Sequence, residues 1–95
     1  MIENETLTLI DGRFTADEAR EVLMSIFLAK IQFHEMKNFS SQERFGCNDK
    51  VAVERIPDLR KSTRRILELV SQAAADKRTM IVTSVVKIEF AELSE

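Results

Sequence analysis

The chain has 95 residues, of which 14 are Lys or Arg, 16 are Asp or Glu and 44% are apolar. That length suits one domain with one core, and a formal charge of −2 fits a globular protein better than a polyelectrolyte tail. One cysteine (Cys47), one histidine (His34) and two separate glycines exclude an internal disulfide, a zinc-finger ligand set and a Gly-rich phosphate loop.

Residues 5–10, Glu-Thr-Leu-Thr-Leu-Ile, alternate polar and apolar and favour β-branched types. They predict a half-buried strand with Leu7 and Leu9 on one face. Asp11-Gly12 predicts the turn that ends it.

The first helix has a clear start. Thr15 followed by Glu18 forms a capping box, in which each side chain accepts a hydrogen bond from the other residue's free backbone N–H. Asp17 and Glu18 also suit the positive end of the helix dipole. Ala19, Val22, Ile26, Ala29, Phe33 and Met36 then recur at intervals of three and four, which predicts a packing seam and a helix to about residue 38. Such a helix is roughly 35 Å long. Leu23 and Phe27 fill a second row, and Met24, Leu28 and Ile31 a third. Only a narrow strip with Glu21, Ser25 and Gln32 is polar. A helix that is apolar nearly all round is buried nearly all round.

Residues 39–49 read as a connection, with Ser40 and Glu43 as a second capping box and Gly46 as a C-cap. Phe39, Ser41, Glu43, Arg44 and Phe45 form its candidate partner-binding tip, with two apolar anchors around hydrogen-bonding groups. The second helix is expected from Asp49 or Lys50 to Asp76, with a seam of Val53, Ile56, Leu59, Thr63, Ile66, Val70 and Ala73. Pro57 either sits in its first turns or kinks it. A long amphipathic strand over 80–93 follows, with Val82, Ser84, Val86, Ile88 and Phe90 on one face.

The fold expected is therefore α+β in the order β-α-α-β: an antiparallel helical hairpin packed on a two-stranded antiparallel sheet, in one domain over 1–95. A two-stranded sheet is a poor lid for so apolar a helix, and the second strand reads as several residues longer than the first. Both features point to a homodimer that extends or covers the sheet, with Met24, Leu28 and Ile31 as the candidate dimer surface.

Chemistry-bearing constellations are sparse. Lys30, His34 and Cys47 are the only set from which a proton-transfer or nucleophilic site could be built, and Gly46-Cys47-Asn48 matches no nucleophile pattern. Arg60, Lys61, Arg64 and Arg65 form the one basic cluster and the candidate nucleic-acid surface. Glu54, Asp58 and Glu68 intersperse it, and no aromatic platform accompanies it. Glu35, Glu43 and Asp49 lack metal-ligand spacing. No cofactor is expected. The N-terminus is acidic, with no apolar run long enough for a signal or a membrane span, and no lipidation pattern is present. With a lone thiol, these features predict a cytoplasmic protein. The expectation that best fits them all is a non-catalytic homo-oligomeric interaction module. Nucleic-acid binding is the alternative, and an enzyme built on Lys30, His34 and Cys47 the third reading.

Overall fold

The computed structural model describes residues 4–93. The elements are β1 (Asn4–Phe14), α1 (Ala16–Phe45), α2 (Lys50–Ala75) and β2 (Met80–Glu89), so the β-α-α-β order stands as read. The strands pair antiparallel in one two-stranded sheet. No helix among the described residues is long and apolar enough to cross a membrane.

The helix ends follow local chemistry. At the start of α1 the Thr15 hydroxyl accepts from the Glu18 N–H at 3.2 Å, and the Glu18 carboxylate accepts from the Thr15 N–H at 2.9 Å. Substituting such a cap costs about 0.5–2 kcal/mol. Gly46 takes the left-handed conformation at φ 69° and donates its N–H to the Gln42 carbonyl, which ends α1. The Asp49 carboxylate caps α2 by accepting from the Ala52 N–H at 3.0 Å. α2 ends in a Schellman motif. Arg78 donates to the Ala73 carbonyl and Lys77 to that of Ala74, with Lys77 rather than glycine at φ 54°.

Three boundaries differ from expectation. α1 does not stop near residue 38 but runs unbroken for 30 residues, so Ser40 and Glu43 are interior helical positions and form no capping box. Propagating a helix adds one backbone bond per residue fixed, and nothing before Gly46 breaks that ladder. Asp11-Gly12 is no turn either. β1 continues through it to Phe14, after an irregularity that leaves Leu9 as the extra residue between the pairs Thr8–Val85 and Ile10–Ser84. This bulge keeps Leu7 and Ile10 on one face, where strict alternation would separate them. The two strands are also nearly equal, at 11 and 10 residues, so no long unpaired overhang exists on β2.

α2 packs much as its seam predicts: Leu59, Thr63, Val70 and Ala73 are buried and Ile56 and Ile66 half-buried. At its start Ala52 is buried instead of Val53. The buried Thr63 hydroxyl donates to the Arg60 carbonyl at 2.7 Å, which removes the cost of placing it in the interface. Pro57 lies inside the helix without ending it. On α1 the row facing α2 is Leu23, Phe27, Ile31, His34, Asn38 and Ser41, in which Ile31 and His34 are buried and the others half-buried. The seam expected there, Ala19 to Met36, is a different row of the same helix.

The sheet is covered only at its base. Ile10 is buried and Gly12, Phe14, Met80, Val82 and Ser84 are half-buried, while Leu7, Val86 and Ile88 on the same face are exposed. The Cα extents are 52 × 40 × 15 Å. Helices of roughly 40–45 Å and a ribbon of roughly 35 Å fill such a slab only when the ribbon leaves the hairpin at a wide angle. The radius of gyration is 17.0 Å, against about 12 Å for a compact domain of this length.

Candidate functional site

The continuation of α1 to Phe45 converts the expected loop 39–45 into a helical surface, and the tip of the hairpin is a four-residue turn. Side chains hold it in place. Asn38 Oδ1 accepts from the Asp49 N–H at 2.8 Å, and the Gln42 amide donates to Asn48 Oδ1 at 2.7 Å. Together with the Asp49 cap, these bonds fix the angle at which α2 returns along α1.

Beside this tip runs an open groove of about 460 Å³. Phe33, Met36 and Phe45 supply its apolar wall. Lys37, Arg44, Ser40, Ser41 and Asp49 supply its polar rim. Phe33 is 51% exposed and Met36 66% exposed, a large uncovered apolar area for one monomer. The Phe33 ring lies 4.8 Å from Lys30 Nζ and 5.9 Å from Lys37 Nζ, both within cation–π range. Lys30, Lys37 and Arg44 recur every seven residues, so a line of cations runs along this side of α1, with Lys37 and Arg44 on the groove itself.

Of the expected tip residues, Ser41, Arg44 and Phe45 line this groove; Phe39 and Glu43 are exposed but do not line it. Sequence reasoning missed Phe33, Met36 and Lys37 as surface residues. The signal that could have found them is the heptad of cations laid beside half of an apolar row.

Among the expected dimer residues, Met24 is half-buried and Leu28 exposed. Both lie on a shallow surface with Asp17, Arg20, Glu21 and Ser25. Ile31 does not belong with them. It is 3% exposed within the single chain, because its row faces α2, so it offers nothing to a second molecule.

The structure does not assemble Lys30, His34 and Cys47 into one cleft. His34 is 5% exposed between the helices, and neither ring nitrogen has a hydrogen-bond partner. Its ring meets Phe33 edge-on at 5.4 Å. Burial pushes the imidazole pKa below its ordinary value, and the charges of Lys30, Arg55 and Lys37 push the same way against Asp49. Cys47 is exposed on the tip turn, and Lys30 points over Phe33. None of the three lines the groove.

On the basic face of α2, Arg60 pairs with Glu35 across the hairpin at 3.1 Å and Arg65 with Glu68 at 2.9 Å. Lys61 and Arg64 form no ion pair among the described residues. Half of the cluster thus has its charge matched within the chain. No three His, Cys, Asp or Glu side chains among the described residues group closely enough to share a metal ion.

Comparison with protein-family models, with curated proteins and with solved structures finds no significant match.

Proposed function

We propose that this protein is a non-catalytic interaction module of the cytoplasm whose working form is a homodimer. One observation carries the reading. The chain exposes 8025 Å², whereas a compact monomer of 10.9 kDa exposes about 5600 Å². The surplus of about 2400 Å² is on the order of one partner's share of a large obligate homodimer interface.

The surplus is also of the right kind. Leu7, Val86 and Ile88 on the ribbon and Leu28, Phe33, Met36 and Phe45 on α1 are all exposed. Leaving that much apolar side chain in water forfeits the main favourable term of folding, and a second chain restores it. The exposed, unpaired Cys47 thiol suits a reducing compartment.

Light scattering on the purified chain tests the reading. The expected result is twice the chain mass of 10.9 kDa at micromolar concentration. A monomeric mass there overturns it.

A further inference from the structure

We infer that the two copies engage reciprocally, the outer half of each β-ribbon lying in the groove along the C-terminal half of the other copy's α1. This inference rests on the homodimer reading and adds the surfaces that meet.

The first argument is continuity. At 100° per residue, Ala19, Val22, Ile26, Ala29 and Phe33 form one row of α1, displaced from the row that packs on α2. Its first members, Ala19, Val22 and Ile26, are buried or half-buried, and the base of the ribbon is the element left to shield them. Its later members, Ala29 and Phe33, are exposed. The ribbon shows the same division. On one face, Phe14, Ile10, Val82 and Ser84 are shielded near the base while Leu7, Val86 and Ile88 are bare further out. Each chain thus holds half of a ribbon-on-helix contact and the unfilled halves of a second one.

The unfilled halves match in size and charge. Residues 29–45 rise about 24 Å along α1, and the outer five or six residues of a strand span about 17–20 Å. The groove carries Lys37 and Arg44, with Lys30 beside it over the Phe33 ring and Asp49 at its far end already capping α2. On the apolar face of the outer ribbon Glu5 lies opposite Ile88, and Glu92 follows the strand end; Lys87, the one cation among the described residues there, is on the reverse face and paired with Glu89 at 3.0 Å. Opposite charge at the rim fixes orientation and register while the apolar wall supplies the burial. A two-fold axis then makes the contact twice, and the assembly closes at two chains.

The test is complementation between two broken surfaces. Phe33→Asp spoils the groove and Val86→Asp spoils the ribbon. Each variant alone is expected to show the single-chain mass at concentrations where the unmodified chain shows double. Their equimolar mixture keeps one intact ribbon–groove contact and is expected to recover the doubled mass, with a dissociation constant at least ~100-fold tighter than either variant alone. Circular dichroism checks that both variants keep their helix content.

A second measurement needs no substitution. A nitroxide on the native Cys47 thiol of one chain should broaden the Val86 and Ile88 amide signals of an isotope-labelled second chain. If the mixture stays monomeric, if either variant still dimerises alone, or if the broadening falls elsewhere, the contact is overturned and the homodimer stands. A monomeric unmodified chain overturns both.

Discussion

One apolar row, Ala19, Val22, Ile26, Ala29 and Phe33, runs through both halves of α1 and meets opposite fates in them. In the N-terminal half, Ala19, Val22 and Ile26 are buried or half-buried within the single chain; in the C-terminal half, Phe33 and Met36 line an open groove. The lesson is that an apolar pattern records that a row is to be covered, not by which chain. α2 lacks this ambiguity: its buried row is continuous from Ala52 to Ala73, and its opposite face is charged.

The contrast breaks most sharply in paired substitutions on neighbouring rows. Ile31→Ala should remove about 2–5 kcal/mol from the folded chain, read by urea unfolding, because Ile31 is buried against α2. That loss should be the same at every protein concentration. Phe33→Ala should instead abolish the dependence of the melting temperature on concentration, which is how a lost subunit contact reads out. A concentration-independent loss of similar size at Phe33 would show that both rows serve the single chain.

Next in size is Thr15→Ala, which removes one arm of the capping box at the covered end of α1. It should cost about 0.5–2 kcal/mol in the same measurement, without changing the mass by light scattering.

His34 sharpens the comparison through pH. Its folded pKa lies below the unfolded value of 6.5 because burial and nearby cations disfavour the charged ring. The unfolded chain therefore binds the extra proton first as pH falls. The contribution is complete above about pH 6.5 and is lost progressively as pH drops below it toward the depressed folded value. Chemical denaturation between pH 7.5 and 5 should show falling stability, and His34→Leu should flatten that slope. An unchanged slope in the variant would assign the pH dependence to other groups.

The smallest expected effect lies at the far end of α2. Lys77→Gly should stabilise the chain by about 0.5–1 kcal/mol, since glycine enters the left-handed conformation without the strain of a Cβ. A destabilised variant would mean that the Lys77 side chain contributes more than its backbone strain costs.

These particulars also mark what could be read from the sequence. Thr15 with Glu18 caps α1 as expected; Gly46, read as a C-cap inside the connection, ends α1 itself, and Asp49, read only as a possible helix start, is the cap of α2. The α2 seam was legible because only one of its faces is apolar. The phase of α1 was not, since three of its rows are apolar and periodicity alone cannot rank them; Ile31 and His34 accordingly pack where Phe33 and Met36 were expected. Ser40 and Glu43 carry a cap-like spacing, but capping acts only where the helix ladder is already interrupted. In β1, the bulge at Leu9 shifts the alternation by one residue, so a period-two reading placed Leu9 with Leu7 and ended the strand early. The candidate groove was half legible: Ser41, Arg44 and Phe45 were named from composition, while Phe33 and Met36 had been assigned to the interior.

The pairing of β1 with β2 joins the two ends of the chain, and this sets an order of events in folding. Closing Phe14 onto Met80 spans 66 positions before any strand bond forms, an entropic cost of about 4 kcal/mol for a flexible loop. The hairpin removes most of that cost, because α1 and α2 return the chain to within reach of its start through contacts local to one short turn. The helices should therefore assemble first, and the ribbon should zip from its base at Phe14 and Met80 outward to Asn4 and Glu89. Amide exchange should follow the same gradient, slowest along Leu59 to Val70 and fastest at the outer strand ends.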